Sequence, residues 1–310
     1  MEKVRQQKRV IFLSSAETPE TRQINDDFVS KLNSITQSVE FSWTNYHDLG
    51  IEITTDSIRV YLLSTGEELS AYDLVYFKSY FRYQEQAAAV AEYLRSKKRV
   101  YIGAELAEYI PAYKLTQLAR LSRHGVSIPD TIYLSPEHVL GRYDEIVEKL
   151  GVPFIFKDFS GSTGDDNYLI KNRAQLEEVL TNSPSVQFIA QNFIANSGDL
   201  RVIVMSGSIE MVIERRRSDD STHLNNTSKG ANSTLLSPTS LDESVSTVAL
   251  KAASAMKRDV AGVDVMLEDG TATPYVLEVN ASPQLGSGAY IDEKAETVIR
   301  YCERILDDKR

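Results

Sequence analysis

Three oxygen-bearing side chains lie in two short apolar segments of this 310-residue sequence, and their types suit a magnesium ion. Asp264 stands in the run Gly262–Met266, while Glu278 and Asn280 lie two residues apart in Leu277–Asn280. If both segments are strands, alternation places Glu278 and Asn280 on one face, where Asp264 of an adjacent strand joins them. Mg²⁺ prefers such carboxylate and amide oxygens. A single carboxylate would be no more than a solvated charge, but the set predicts a metal site.

A lysine at the end of another apolar segment is a candidate phosphate ligand. Lys157 follows the run Pro153–Phe156 and precedes a loop of small residues between residues 160 and 167. The loop contains Gly161, Ser162, Thr163 and Gly164. Lysine can reach phosphate oxygens there while backbone N–H groups of the loop close over them. Taken alone, the pattern equally fits an ordinary β-hairpin with a solvated lysine.

Three adjacent arginines, Arg215, Arg216 and Arg217, follow the strand-like segment Ile209–Glu214. In a chain with a net charge of -10, such a cluster suggests recognition of an anion. The alternative is an exposed run of charges. Alternation would place Arg215 and Arg217 on one face and Arg216 on the other, so the three need not share a role.

The first hundred residues must form an α/β unit, because strand and helix patterns alternate along them. The predicted strands are Arg9–Leu13, Ser57–Leu63, Leu74–Phe77 and Arg99–Ile102, and the predicted helices are Thr21–Leu32 and Gln84–Lys97. This alternation favours a parallel sheet covered by helices. The unit contains no glycine-rich nucleotide motif of its own.

The remaining segments supply the elements that carry the candidate site. Helices are predicted over Tyr113–His124, Pro136–Leu150 with Ser135 as its N-cap, Ala174–Leu180, Leu241–Lys257 and Ala295–Leu306. Strands are predicted over Pro153–Lys157, Tyr168–Ile170, Ala261–Leu267 and Tyr275–Val279, with Val186–Ile194, Leu200–Met205 and Ile209–Glu214 as one antiparallel set. Residues 218–240 are rich in Ser, Thr and Asn, which predicts a surface loop that could order over a ligand.

Composition narrows the class of protein. With 42% hydrophobic and 25% charged residues, the chain can bury a globular core. Its acidic balance argues against non-specific binding to nucleic acid or membranes. The single cysteine, Cys302, can form no internal disulfide, and its helical context predicts a packed, idle thiol. The apolar run Val10–Leu13 is too short for a signal peptide or membrane span, so a cytoplasmic location is the default expectation.

The segments "YVLEVNASP", "GVDV" and "GDLRVIV", together with the lysine and its glycine loop, resemble the ATP-grasp superfamily. Between about Ala112 and Ile299 the chain looks most like the RimK type, the ribosomal-protein glutamate ligases, and their glutathione synthetase relatives. The resemblance implies an α/β (α+β) ATP-grasp fold in which two α+β subdomains sandwich ATP. It implies a pre-ATP-grasp α/β domain over residues 1–110, with the subdomains over 111–185 and 186–310.

The resemblance also implies roles for individual residues. Lys114 and Lys157 match the family's two phosphate-binding lysines, and the loop from Gly161 to Gly164 matches its phosphate cover. The adenine hinge corresponds to Gln191, Asn192, Phe193 and Ile194. Asp199 and Arg201 match a D-x-R strand, and Arg216 with Asn226 matches an arginine and asparagine of the same spacing. Arg201 and Arg216 would stabilise the reacting group, and Asp264, Glu278 and Asn280 would bind Mg²⁺.

The sequence departs from the family pattern at a few positions. Asn192 stands where the family often has glutamate, and Leu224 where it usually has arginine. Asp165 and Asp166 occupy loop positions that are commonly apolar or glycine. A carboxylate near a triphosphate is unfavourable unless it faces away or helps to hold a metal ion.

The activity that the resemblance implies is ATP-dependent ligation of a carboxylate to an amine through an acyl phosphate. It implies ATP and Mg²⁺, with two ions expected and Mn²⁺ as an alternative. The substrates would be an amino acid, a peptide or a protein tail, and a homo-oligomer is compatible with the family. Two alternatives stay open: a phosphotransferase of the same fold, or a non-catalytic nucleotide-binding protein.

Overall fold

A computed structural model of the protein describes residues 7–110, 113–159, 166–217 and 232–308. Within those ranges the chain forms three main sheets and a separate two-stranded hairpin. Several residues with predicted roles lie outside the described ranges: Gly161, Ser162, Thr163, Gly164, Asp165, Leu224 and Asn226. Of the helices in the described part, none is long and apolar enough to cross a membrane.

The first sheet is parallel, as the alternating sequence pattern predicts, and has the order β2-β1-β5-β6. The elements are β1 (Lys8–Ser14), α1 (Pro19–Ile35), β2 (Val39–Asn45), β3 (Leu49–Ile53), β4 (Ile58–Leu62), β5 (Leu74–Phe77), α2 (Gln84–Ser96) and β6 (Val100–Ile102). β3 and β4 pair as an antiparallel hairpin outside the sheet, so the predicted strand Ser57–Leu63 does not belong to the parallel sheet as expected. β2 and β3 are absent from the predicted elements, because polar residues interrupt their apolar ones.

Local sequence explains where α1 begins and which side it buries. Thr18 accepts a hydrogen bond from the Thr21 backbone, and the Thr21 hydroxyl accepts one from the Thr18 backbone, which forms a capping box. Pro19 follows at the first turn, where its missing N–H costs nothing. Phe28 and Leu32, four residues apart, are buried against the sheet.

The second sheet is antiparallel and has the order β7-β10-β8-β9. The elements are α3 (Lys114–Arg123), β7 (Thr131–Tyr133), α4 (Pro136–Val139), α5 (Tyr143–Leu150), β8 (Phe154–Asp158), β9 (Asn167–Ile170), α6 (Arg173–Asn182) and β10 (Phe188–Asn192). Two expectations were wrong. The first is the helix predicted over 136–150, which is broken by a 3₁₀ turn at Leu140–Arg142. Its start is as predicted, with Ser135 at the N-cap position before Pro136, although the Ser135 side chain makes no capping hydrogen bond.

The second correction concerns β10, which the sequence analysis grouped with the two strands after it. β10 instead pairs with β7 and β8, so this sheet draws strands from both sides of residue 185. The apolar residues of β10 continue the core of the second sheet, where Phe156 and Phe188 stack with ring centroids 4.4 Å apart. The division of the chain at residues 110 and 185 stays a prediction.

The third sheet is antiparallel, with the order β13-β12-β11-β14-β15. The elements are β11 (Asp199–Met205), β12 (Ser208–Arg216), β13 (Asn232–Leu236), α7 (Glu243–Ala255), β14 (Val260–Leu267), β15 (Pro274–Asn280) and α8 (Ile291–Asp308). β13 corrects the expectation of a loop throughout 218–240, since it pairs with β12 and Tyr290 donates a hydrogen bond to the Ser233 carbonyl. A turn at Ser206–Gly207 joins β11 to β12.

The two faces of the third sheet have different roles, and β11 illustrates both. Its even-numbered residues, Leu200, Val202 and Val204, lie in the core covered by α7. Its odd-numbered residues are polar at the start (Asp199, Arg201) and apolar at the end (Ile203, Met205). The apolar end is covered by α8 and by residues of the first sheet and α1. The polar end of the same face is therefore left for a site.

Two further contacts attach the first sheet to the third. Asp259, just before β14, accepts hydrogen bonds from the backbone N–H groups of Gly103 (2.9 Å) and Ala104 (2.8 Å). In α8, Tyr301 and Cys302 are buried among residues of α1 and β1. Burial raises the pKa of the Cys302 thiol far above its usual value, which agrees with the expected idle thiol.

Candidate active site

The predicted metal ligands lie on neighbouring strands. β14 and β15 pair with Asp264 opposite Glu278 and Gly262 opposite Asn280, and Arg201 of β11 lies on the other side of Asp264. A register shift follows Asp264, so that one extra residue of β15 separates Val276 from Glu278. The alternation argument therefore correctly placed one acidic side chain from each strand in adjacent positions.

Asp264 is buried and paired with two arginines. Arg201 binds both of its carboxylate oxygens, with Nη2 at 2.9 Å from Oδ2, and Arg215 Nη2 lies 3.2 Å from Oδ2. Burial by itself raises the pKa of Asp264, but the guanidinium groups outweigh it and hold that pKa below its usual range. Asp264 is thus anionic, as a metal ligand must be, and an ion would have to replace one arginine contact.

Arg215 belongs to a buried ionic network rather than to an exposed cluster. Its Nε donates to Asp199 Oδ1 at 2.6 Å, and both side chains are almost inaccessible to solvent. Burial opposes the charge of Arg215, but the carboxylates of Asp264 and Asp199 raise its pKa above the usual value. Asp199, for which the resemblance implies cofactor binding, acts in this structure as the partner that fixes Arg215.

The backbone between Glu278 and Asn280 is held by side chains from elsewhere. β15 is the edge strand of its sheet, so the Val279 peptide groups have no neighbouring strand on that side. The buried side chain of Gln117 supplies both partners: Oε1 accepts from Val279 N at 2.6 Å and Nε2 donates to Val279 O at 2.9 Å. Arg258 Nη1 donates to the same carbonyl at 2.7 Å.

Glycine at position 262 allows the segment after Asn280 to approach the sheet. A Cβ atom there would lie 2.9 Å from Pro283 Cβ and 3.2 Å from Arg201 Cδ, closer than side chains tolerate. The absent side chain lets Pro283 pack over β14 beside Arg201. Gly262 therefore sets the position of the loop that follows the candidate metal ligands.

We expect Gln117→Leu to destabilise the protein by about 2 kcal/mol, because it removes two buried hydrogen bonds to the Val279 backbone. Turnover should fall as well, since Glu278 and Asn280 flank that residue. Urea unfolding followed by circular dichroism measures the first effect and ADP release the second. The matched control is Gln86→Leu on the exposed face of α2, which should change neither. An unchanged unfolding midpoint for Gln117→Leu would show that the hydrogen bonds between Gln117 and Val279 do not stabilise the protein.

The two predicted phosphate lysines lie close together, on α3 and near the end of β8. Lys114, at the start of α3, donates to the Asp158 carbonyl at 3.3 Å, directly after Lys157 in β8. Burial lowers the pKa of Lys157 to about 8; the Glu278 and Asp264 carboxylates oppose this shift, and Lys114 adds to it. Lys157 is therefore near enough to Glu278 and Asp264 to interact electrostatically with both.

A cleft of about 350 Å³ opens between the first sheet, α3 and the end of β15. It is lined by Ser79, Tyr80, Phe81, Arg82, Tyr113, Lys114, Phe159, Arg258, Glu278, Val279, Asn280, Ala281 and Ser282. One lysine predicted for phosphate and two predicted metal ligands thus share one cavity. Oxygen donors of Glu278 and Asn280 that face a cleft fit a hard divalent cation. Among the described residues, no group of three His, Cys, Asp or Glu side chains forms a metal site.

The predicted adenine hinge lies where β10 ends. Gln191 is buried and donates to Thr131 Oγ1 at 2.7 Å, so its side chain is committed to β7. Asn192 differs: its backbone N–H donates to Asp130 O at 3.1 Å, while its Oδ1 is buried without a hydrogen-bond partner. A buried acceptor without a donor fits a ligand that supplies an amino group. Phe193 is half-buried and Ile194 buried beside it.

Some predicted residues do not join the cluster. Arg216 points to the exposed side of β12, where it pairs with Glu214 at 2.9 Å, and Arg217 donates to the Asn196 carbonyl at 2.5 Å. These contacts agree with the alternation that separated Arg216 from Arg215. Asp166 accepts a hydrogen bond from Tyr168 at 2.8 Å, so its carboxylate is held at the end of β9.

Comparison with known proteins identifies the class of enzyme to which this fold belongs. Residues 112–300 match the model of the RimK-like ATP-grasp domain. The structure of the ATP-grasp ligase PsnB, complexed with minimal precursor, Mg and ADP, superposes with a TM-score of 0.67 at 14% identity, over 94% of this chain and 96% of that one. The fold is thus that of the ATP-grasp ligases. The family match, together with the ligase relatives described next, makes the chain an ATP-dependent carboxylate–amine ligase.

Sequence relatives narrow the class to a family. The chain is 27% identical to a probable alpha-L-glutamate ligase of Thioalkalivibrio sulfidiphilus over 83% of this chain and 86% of that protein. It is 32% identical to the ribosomal protein bS6–L-glutamate ligase of Escherichia fergusonii over 177 residues, 56% of each. Since the family model covers more than half of its length, the chain belongs to the RimK-like ATP-grasp family.

Three residues of the site were not predicted. Gln117 lies beside Leu118 and Leu121 on the buried side of α3, and a polar residue at an apolar position was the available signal. Arg258 precedes the apolar strand β14, and a positively charged residue next to an apolar segment was the available signal. Tyr80 follows β5 and carries no sequence signal beyond its position after a parallel strand.

Proposed function

We propose that this enzyme uses Mg²⁺-ATP to activate one carboxylate and couples it to an amine, with L-glutamate as one substrate. The other substrate would be an amino acid, a peptide or a protein tail. The observation that carries the proposal is the cleft that Lys114, Glu278 and Asn280 line together. Lys157 interacts electrostatically with the Glu278 and Asp264 carboxylates. The named glutamate-ligase relatives support glutamate.

The residues of the site have distinct tasks in this proposal. Lys114 and Lys157 hold the ATP phosphates, and Asp264, Glu278 and Asn280 hold one or two Mg²⁺ ions, for which Mn²⁺ could substitute. The bound ion would draw off negative charge that develops on the phosphate oxygens. Asn192 Oδ1 accepts from the adenine amino group, and backbone groups of Phe193 and Ile194 flank the ring. The proposal also includes the nucleotide contacts that the family resemblance implies for Gly161 to Gly164 and for Asn226, which lie outside the described ranges.

The chemistry proceeds in two steps. A substrate carboxylate oxygen attacks the γ-phosphorus, and the bond to the β-phosphate oxygen breaks to release ADP. The amine then attacks the acyl carbon, and phosphate leaves as the amine loses a proton. Arg201, beside Asp264, stabilises the tetrahedral oxyanion between these events. The same role for Arg216 requires its side chain to leave Glu214. A cytoplasmic location and a homo-oligomer remain part of the proposal.

We expect ADP release with Mg²⁺-ATP to depend on L-glutamate together with pooled amino acids and short peptides, and to yield a hydroxamate when hydroxylamine is present. Only an acyl phosphate gives that product. The Glu278→Ala protein serves as the blank. ADP without hydroxamate would favour a phosphotransferase, and nucleotide binding without any turnover would favour a binding protein.

A further inference from the structure

A buried arginine with unused donors lies at the base of the active-site cleft. Arg258 is only 5% exposed, and its Nη1 donates to the Val279 carbonyl at 2.7 Å. Its Nε and Nη2 atoms are buried without a hydrogen-bond partner. The arginine nevertheless lines the cleft, together with Glu278 and Asn280. The guanidinium therefore contacts the residue that lies between the two candidate metal ligands of β15.

The nearest buried acid does not satisfy this guanidinium. Glu105 accepts a hydrogen bond from Tyr80 at 2.5 Å through Oε1, and its Oε2 has no partner. Burial raises the pKa of Glu105, while the Tyr80 hydrogen bond and the charge of Arg258 oppose that rise. Glu105 thus interacts with Arg258 electrostatically, yet it accepts no hydrogen bond from the Nε and Nη2 atoms.

An arrangement of this kind is costly unless a ligand completes it. A buried charged donor without an acceptor loses its hydration and gains nothing in return. The Nε and Nη2 edge of arginine is a planar fork that matches the two oxygens of a carboxylate. A cleft whose lining also contains Arg82 and Lys114 adds positive potential that favours an anion.

We propose that Arg258 binds a carboxylate of the amino-acid substrate, and that this carboxylate is not the one activated by ATP. The inference rests on the proposed ligase function and assigns it a specificity residue. A carboxylate that accepts from both Nε and Nη2 has both oxygens engaged, whereas the reacting carboxylate must leave one oxygen free to attack phosphorus. In this assignment the amino acid in the cleft supplies both carboxylates, one bound by Arg258 and one activated by ATP, and it is therefore a dicarboxylic amino acid.

The rest of the cleft is compatible with a single amino acid. Phe81 and Tyr113 form an edge-to-face pair with ring centroids 5.4 Å apart, and both are partly exposed at the lining of the cleft. Their rings can cover the methylene groups of a substrate whose carboxylate reaches Arg258.

The test is isothermal titration of L-glutamate, L-glutamine and L-isoglutamine into the protein saturated with Mg²⁺-ADP. These probes retain both carboxylates, only the α-carboxylate, or only the side-chain carboxylate. Wild-type protein should bind glutamate about 100-fold more tightly than one of the two amides, namely the amide that lacks the carboxylate bound by Arg258. This factor corresponds to the free energy of two charge-assisted hydrogen bonds. Arg258→Met should abolish that preference and Arg258→Lys should retain part of it. Arg123→Met, an exposed arginine at the end of α3, should resemble wild type.

Several outcomes would overturn the inference. One is equal binding of glutamate and both amides by wild-type protein, and another is an equal loss of all three ligands in Arg258→Met, which would indicate only a structural role through Val279. If wild-type protein binds Mg²⁺-ADP but not glutamate, the assignment of Arg258 fails while the hydroxamate assay still decides the ligase function. If Mg²⁺-ADP itself does not bind, the proposed function fails as well.

Discussion

Glu278→Ala should lower the rate of substrate-dependent ADP release by more than about 1000-fold while the protein stays folded. Glu278 lines the cleft together with Lys114. Of the two carboxylates among the proposed metal ligands, it is the one without a salt bridge to Arg201 or Arg215. The Glu278→Ala substitution removes the carboxylate that would bind a Mg²⁺ ion between the two lysines and β15. Steady-state ADP release at saturating ATP measures the effect, and circular dichroism verifies the fold.

A surface glutamate supplies the comparison for this experiment. Glu178→Ala changes an exposed residue of α6, far in sequence from the site, and should keep the wild-type rate. Raising the Mg²⁺ concentration should not restore the Glu278→Ala protein, since an ion held by fewer ligands would also be misplaced. Turnover within a few-fold of wild type would remove Glu278 from the metal site.

Arg215→Met should destabilise the protein by about 3–5 kcal/mol, the cost of leaving buried carboxylates without their counter-ion. Arg215 pairs with Asp199 at 2.6 Å and with Asp264 at 3.2 Å. Without Arg215, Asp264 would retain Arg201, whereas Asp199 would retain no ion pair with any residue that the structure describes. Urea unfolding at neutral pH measures the loss. Acidification should reduce the difference between mutant and wild type, because protonated carboxyls need no counter-ion.

The neighbouring residue is a stringent control. Arg216→Met alters the same side chain one position along β12, but Arg216 is largely exposed and its bond to Glu214 is a surface pair. Such pairs contribute about 0–1 kcal/mol, so the unfolding midpoint should hardly move. Equal effects of the two substitutions would show that the buried network contributes little to stability.

The sequence predicted best where local periodicity decides the structure. Alternation in β15 placed Glu278 and Asn280 on one face of the sheet, and alternation in β12 separated Arg215 from Arg216. The α/β alternation of the first hundred residues correctly indicated a parallel sheet. In each case the side-chain period of a strand or helix carries the information, so no long-range contact had to be known.

What could not be predicted depends on partners that are distant in the chain. β10 looks like the next strand of an antiparallel set, and only pairing with β7 and β8 assigns it to the second sheet. The hydrogen bonds between Gln117 and Val279 join residues that are 162 positions apart in the sequence. Arg258 and Glu105 likewise acquire significance only when burial removes water from them. Periodicity reports which side of an element is buried, but not which element will cover it.

The position of α8 bears on how the polypeptide folds as it is synthesised. α8 is the last described helix in the chain, yet Val298, Tyr301 and Cys302 complete the core that contains Phe12 and Phe28 from the first sheet and α1. The N-terminal segment therefore keeps an apolar surface uncovered until α8 has left the ribosome. A nascent chain released before residue 291 would expose that surface, which makes early termination products candidates for chaperone capture and degradation.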